Sequence, residues 1–298
     1  MSVLIVGSGA LACLFAARLA AIGEQVDLLA TWPEGLHALQ SSGVTLEIDD
    51  TRTTYPVRAG NDPQEYTGAR LALVLVKAWQ TPRAAQQLAA CLAPDGVALT
   101  LQNGLGNQEV LEQALGAPRV AVGVITTGAT LVGPGVVRWG GEGVISLGAH
   151  AAQAEFAAMF TAAGFQVNTG QNVASLQWSK LVINAAINPL TALLAIPNGE
   201  LLTRPAAAEL SAQLAAETAA VAAALHIPLT FADPAAAAQD VARRTAANQS
   251  SMFQDAQRGA ITEVDAISGA IVRAGRQAGI PTPATETVWK LVQALRPA

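Results

Sequence analysis

Charged residues are scarce in this 298-residue chain: Asp, Glu, Lys and Arg together make up 13%, against 51% hydrophobic residues. That balance supplies a large core and excludes an intrinsically disordered chain. The 17 basic and 22 acidic residues leave a formal charge of -5 with no basic run, which excludes nucleic acid as a main partner. Cysteine is limited to Cys13 and Cys91, each in an apolar stretch. Two such residues make no disulfide framework, and they read as buried free thiols in a reducing cytoplasm. His37, His150 and His226 neighbour neither a cysteine nor one another, so no metal site is expected. Membrane signals are also missing. The apolar stretch 2–22 has no positive segment and is interrupted by Gly7 and Gly9, unlike a secretory signal. A second, 181–196, is too short to span and carries Asn184, Asn188 and Pro189. A cytoplasmic protein without a membrane segment is expected.

What is present changes character along the chain. In the first half, short β-branched runs at 3–7, 25–30, 71–76, 97–101, 120–124 and 144–147 alternate with helical patterns such as 11–22. Such alternation predicts parallel βαβ units and a doubly wound α/β sheet. The threonine-rich stretch 44–57 has no helical period and suits a hairpin-like insertion. From about residue 151 strand signals become rare, and alanine- and leucine-rich segments at 176–196, 206–225 and 262–278 dominate. Alanine is the best helix former, so these predict close-packed helices. The turn signals Ile196-Pro197-Asn198-Gly199 and Ile280-Pro281-Thr282-Pro283 separate them. The boundary is expected near Gly170, giving domains 1–170 and 171–298.

Gly7-Ser8-Gly9-Ala10-Leu11-Ala12 fits G-x-G-x-x-A between a strand and a helix. In a dinucleotide-binding turn the first glycine makes the bend and the second lets the backbone approach a pyrophosphate. Ala12 allows close helix–strand packing, and the helix N-terminus offers N–H groups to the anion. The alternative is a turn that serves packing alone. Lys77 follows one strand and Asn103-Gly104 another, and ligands of open parallel sheets bind beyond the carboxyl ends of the strands. An acidic residue after the second strand would favour NAD and a basic one NADP. Leu29-Ala30-Thr31-Trp32 supplies neither, and no Lys or Arg occurs between Arg18 and Arg52, so the residues leave that choice open.

In the second half Lys180, Asn184 and Asn188 recur every four residues and form one polar stripe on an otherwise apolar helix. The stripe lines a site or faces water; its lack of Glu and Arg favours the site. Asn248–Asp255 and Thr262-Glu263-Val264-Asp265 are rich in amides, hydroxyls and carboxylates. They suit either a small polar ligand or helix caps, with Ser250, Ser251 and Thr262 as capping candidates.

Taken together, these motifs resemble the ketopantoate reductase (2-dehydropantoate 2-reductase) family. The matching pieces are the glycine turn, Val76-Lys77-Ala78-Trp79-Gln80-Thr81, Gln102-Asn103-Gly104, the Lys180/Asn184/Asn188 helix, the Ser-Ser-Met-x-Gln-Asp segment ending at Asp255, and Thr262–Asp265. They run in the family's order along almost the whole chain. The resemblance implies a Rossmann domain followed by an all-helical domain, with the site in the cleft between them. It implies an NAD(P)H-dependent oxidoreductase acting on CH–OH groups, reducing a small 2-keto acid with NADPH, NADH not being excluded. By position, Lys180 matches the catalytic lysine and Glu263 a substrate-binding glutamate. Asn103, Asn184, Asn188 and Ser251 match substrate contacts. Gly7, Ser8, Gly9, Ala10, Leu11, Ala12, Thr31, Lys77 and Asn103 fall at cofactor-binding positions.

Two departures stand out. Thr31 replaces the family's usual arginine that pairs with the 2′-phosphate, and Ser268 replaces a usual asparagine, which bears on the substrate pocket. The alternatives are another 2-keto acid, opine-type or β-hydroxyacid dehydrogenase, and a non-catalytic dinucleotide sensor, which would not need Lys180 and Glu263 together. Nothing specifies an oligomer; a homodimer is expected only from the class of protein.

Overall fold

The computed structural model describes residues 2–295. The chain divides into two compact units, Met1–Gln102 with Asn107–Val173, and Asn103–Gly106 with Ala174–Ala298.

The first unit carries strands β1 (Ser2–Val6), β2 (Gln25–Leu29), β3 (Val44–Ile48), β4 (Thr51–Tyr55), β5 (Arg58–Gly60), β6 (Ala69–Val74), β7 (Leu92–Thr100), β8 (Val120–Ile125), β9 (Ala129–Gly133), β10 (Val136–Trp139), β11 (Val144–Leu147) and β12 (Gln166–Thr169). Its helices are α1 (Ala10–Ala21), α2 (Pro33–Ser42), α3 (Thr81–Cys91), α4 (Asn107–Leu115) and α5 (Gln153–Ala162). The main sheet has the order β12-β11-β8-β7-β6-β1-β2-β5, parallel except where β8 meets β11. The doubly wound sheet read from the sequence is therefore present, and β1 is where the winding reverses. Val3, Leu4, Ile5 and Val6 are all buried, as a parallel strand covered on both faces requires.

Each face has its own core. On one, Phe15 of α1 stacks on Phe165 at 4.7 Å and meets Phe160 of α5 edge-on at 5.2 Å. On the other, Leu4, Val6 and Val74 pack with Ala84, Ala85 and Leu88 of α3 and Leu111 of α4. Cys13 and Cys91 are free and buried, and burial pushes the Cys13 thiol up to about 12, so it stays protonated and inert. The stretch 44–57 forms the antiparallel pair β3–β4, as expected, but it belongs to a second sheet of order β4-β3-β10-β9. There Glu47 is buried and paired with Arg52 and with Arg138, the latter at 2.9 Å. The β9–β10 hairpin was not among the expected strands.

The second unit is helical: α6 (Val173–Leu194), α7 (Glu200–Thr203), α8 (Pro205–Ala224), α9 (Pro234–Arg244), α10 (Ser251–Gln257), α11 (Ser268–Ala278) and α12 (Pro283–Gln293). Proline at the first turn of α8, α9 and α12 fixes their starts. The Glu217 carboxylate of α8 accepts from the backbone N–H groups of Ala284 and Thr285, at 2.9 and 2.8 Å, capping α12. One expected helix is shorter than its composition suggested. Residues 262–267 are not helical, and α11 begins only at Ser268, which is buried. Among the described residues no helix is long and apolar enough to cross a membrane.

Candidate active site

In the first unit the sequence-predicted cofactor turn is built from backbone. Gly7 follows β1 with φ +128, a conformation that an L side chain rarely adopts, and a Cβ there would sit 3.2 Å from the Leu75 backbone. Its N–H donates to the Leu29 carbonyl at 2.9 Å, tying the turn to the end of β2. Gly9 is the N-cap of α1 and carries no side-chain cap, so the first-turn N–H groups have no intrahelical partner. A Cβ at Gly9 would point into open space, the room that close approach of a pyrophosphate needs. Ala12 is fully buried under the sheet. Ser8 is buried too; Ala10 and Leu11, at the start of α1, are half-buried. These residues fit a dinucleotide's phosphates.

Around that turn stand the neighbouring strand ends. Half-buried Lys77 lies three residues beyond β6, its N–H donating to Gln80 Oε1 at 3.2 Å. Gln102, past the end of β7, donates from Nε2 to the Val76 carbonyl and to Thr81 Oγ1, both at 2.9 Å. Thr81 Oγ1 in turn donates to Asn107 Oδ1 at 2.8 Å. This buried relay locks the start of α3 to the ends of β6 and β7. Thr31, two residues past β2, is exposed, and its Oγ1 accepts from Arg83 Nη2 at 2.5 Å. The sequence marks Gln102 only as part of the Gln102-Asn103-Gly104 motif and does not mark Arg83 at all. Arg83 lies 52 residues from Thr31, and no local pattern joins them.

The second unit gathers side chains instead. The segment Asn103–Gly106 belongs to it. Gly104 has φ +80, and a Cβ there would lie 2.5 Å from the Ala266 carbonyl oxygen, so only glycine fits. The Leu105 N–H donates to that same carbonyl at 2.9 Å. This contact brings Asn103 Nδ2 to Glu263 Oε2 at 3.3 Å. Glu263 is buried in a turn whose carbonyl accepts from the N–H groups of Ala266 and Ile267. Asp265, next but one, is structural: its Oδ1 accepts from Trp289 Nε1 at 2.8 Å and Gln293 Nε2 at 2.7 Å, pinning the turn to α12.

Lys180 on α6 completes the set. Trp178 and Leu181 beside it share one apolar cluster with Val264 and Ile267 of the Glu263 turn. Burial pushes the Lys180 amine down to about 8, and the charge of Glu263 pulls it back up. An amine in that range is a proton donor at neutral pH with little penalty for giving the proton up. Asn184 is half-buried and Asn188 buried, one and two turns further along α6. The stripe is therefore not a solvated face. One turn on from Asn188, the buried Thr191 hydroxyl bonds Ser250 Oγ at 2.7 Å. Ser250 is also the N-cap of α10, its Oγ accepting from the Phe253 N–H at 3.1 Å. The capping serine is thus Ser250; Ser251 is exposed on the first turn of α10.

Asn103, Lys180 and Glu263, distant in sequence, thus meet in one unit, while the glycine turn, Thr31 and Lys77 belong to the other. Comparisons with known proteins cover both units. A family model described as ketopantoate reductase PanE/ApbA matches residues 3–152, and that of the family's C-terminal part matches residues 172–296. The 2-dehydropantoate 2-reductase of Halobacterium salinarum is 35% identical over 98% of each chain. The crystal structure of a PanE/ApbA family ketopantoate reductase from Ralstonia eutropha superimposes with a TM-score of 0.93 at 35% identity, covering 99% of this chain and 98% of that one. A ternary structure of D-mandelate dehydrogenase with NADH and anilino(oxo)acetate gives a TM-score of 0.93 at 25% identity, covering 99% and 98%. The chain belongs to the ketopantoate reductase family, and is an oxidoreductase acting on CH–OH groups.

Proposed function

We propose that this protein reduces 2-dehydropantoate to pantoate with NADPH, and that Lys180 is the general acid. The observation that carries the reading is the cluster of Asn103, Lys180 and Glu263, a depressed amine held by a buried carboxylate. When bound, the dinucleotide supplies a hydride to the keto carbon. Negative charge then develops on the keto oxygen, and the Lys180 ammonium stabilises it and delivers a proton there. Glu263 keeps the lysine charged and accepts a hydrogen bond from a substrate hydroxyl. Asn103 orients that carboxylate through its 3.3 Å hydrogen bond and lies near the substrate. Asn184, Asn188 and Ser251 hold the substrate's polar groups. Gly7, Ser8, Gly9, Ala10, Leu11 and Ala12 seat the pyrophosphate, with Thr31 and Lys77 beside it. On this reading residues 1–170 serve the cofactor, Asn103 facing the substrate as well, and 171–298 the substrate.

A second reading is reduction of another 2-keto acid with NADH. The likeness to a D-mandelate dehydrogenase solved with NADH favours it, as does Thr31 at the position of the usual arginine. The test is the absorbance of the reduced nicotinamide, followed with 2-dehydropantoate and with aryl 2-keto acids, each with NADPH and NADH. Rapid oxidation of NADPH by 2-dehydropantoate is expected. Turnover confined to aryl keto acids would replace the first reading by the second, and no turnover with any keto acid would sink both.

A further inference from the structure

We propose that Arg83 supplies the guanidinium that recognises the ribose 2′-phosphate of a dinucleotide held on the glycine turn. The inference rests on the dinucleotide reading of that turn and adds the residue that selects between its two forms. In a doubly wound sheet, the adenosine ribose lies beyond the end of the strand next to the glycine turn, and a nearby arginine there accommodates a 2′-phosphate. Here that strand is β2, which pairs with β1 in parallel, Val6 opposite Leu29. Two residues beyond it, Thr31 offers no charge of its own. The charge arrives from elsewhere in the fold: Arg83 Nη2 donates to Thr31 Oγ1 at 2.5 Å.

The placement of Arg83 is not left to a loose loop. It lies on the first turn of α3, between buried Thr81 and buried Ala84. Thr81 accepts from Gln102 and donates to Asn107, so the helix start is fixed to the ends of β6 and β7. β6 is the neighbour of β1 on the side opposite β2. The arginine therefore reaches past the end of β1, where the glycine turn begins, to the end of β2. Its fork has five N–H donors, and one rests on Thr31, whose own hydroxyl proton can point to the same phosphate. Both side chains are exposed, as recognition of a soluble anion requires. The opposing feature is Glu34 on the first turn of α2, three residues after Thr31, whose carboxylate would favour an unphosphorylated ribose instead.

The experiment is calorimetric titration of the purified protein with NADPH, NADH, 2′-phospho-ADP-ribose and ADP-ribose, the last two lacking the nicotinamide. The wild type is expected to bind each phosphorylated ligand about 10- to 100-fold more tightly than its partner, as charge-assisted phosphate contacts typically give. Arg83→Gln should bring that ratio close to one while leaving NADH and ADP-ribose affinity within about twofold, since the phosphate contact is lost and the other lost bond, to Thr31, is an exposed one. Adding Thr31→Arg to Arg83→Gln should restore the preference. An unchanged ratio in Arg83→Gln, or a wild type that prefers the unphosphorylated pair, overturns the assignment of Arg83 while leaving the dinucleotide site standing. Failure of all four ligands to bind the wild type would instead overturn the dinucleotide reading, and this inference with it.

Discussion

Gly7 and Gly104 each begin a turn at the end of a sheet strand with positive φ, +128 and +80, yet they serve opposite purposes. The turn at Gly7 opens onto space: two residues later, a side chain at Gly9 would touch nothing. The turn at Gly104 is pressed against Ala266, and that pressure is what sets Asn103 on Glu263. One turn presents backbone donors and open space, the other brings together buried and half-buried side chains that interact with one another. A change in the first is therefore felt mainly by a ligand. A change in the second is felt first by the protein.

The largest effect should come from the second kind. Lys180→Ala removes the proposed proton donor and is expected to lower kcat by about 10²- to 10⁴-fold, the range for loss of general acid catalysis. Dinucleotide affinity, measured by titration, should hardly move, because on the proposed reading Lys180 acts on the substrate and the glycine turn on the cofactor. Near-normal turnover would remove Lys180 from the mechanism. Next comes Gly104→Ala, which forces a side chain into a left-handed conformation and into the Ala266 carbonyl. Strain and overpacking together should destabilise the protein by about 2–4 kcal/mol, read by denaturant unfolding. Gly9→Ala is the counterpart in the open turn. Its φ of -78 suits any residue and its surroundings are empty, so the melting temperature should hold. Dinucleotide affinity should fall about tenfold as the added methyl intrudes on the pyrophosphate. If Gly9→Ala lost stability instead, or Gly104→Ala none, the contrast between the two turns would be wrong.

The same contrast explains what could be read in advance. The glycine turn is contiguous, and its strand, bend and helix carry independent local signals, so β1, α1 and the doubly wound sheet were legible. The Lys180/Asn184/Asn188 stripe was legible for the same reason, since four-residue spacing is a property of one helix. The pairing of Asn103 with Glu263 was not, because it joins residues 160 apart through a backbone contact at Ala266. Family resemblance named both residues without showing that they touch. Arg83 is illegible on the same ground: no basic residue lies near Thr31 along the chain, whereas the sheet order delivers one through α3. The helix expected from Thr262 failed through local chemistry. Thr262 Oγ1 accepts from the Val264 N–H and the Glu263 carbonyl holds two further N–H groups, so the backbone is satisfied in a turn and α11 starts six residues late. Hairpin β9–β10 did carry a signal, Gly133-Pro134-Gly135 between two β-branched runs, which the alternation of strands and helices obscured.

The smallest effect is the most diagnostic, because it tests how the buried pair is coupled. On the proposed mechanism keto-acid reduction needs Lys180 protonated, so kcat should fall as pH rises through about 8, where burial has pushed the amine. Glu263→Gln removes the carboxylate that raises this value, and the midpoint should move downward, measured as a pH profile of kcat. Stability runs the other way. Unfolded, the lysine titrates at about 10.4. Folded, it binds fewer protons anywhere between about 8 and that value. The unfolded state then holds more protons, and the contribution of this residue to stability rises with pH across the window. Activity and the Lys180 contribution to stability should thus diverge above pH 8, the latter obtained by comparing wild type with Lys180→Met. If both fall together, alkaline unfolding rather than deprotonation of Lys180 limits the enzyme, and its amine is not the group that titrates.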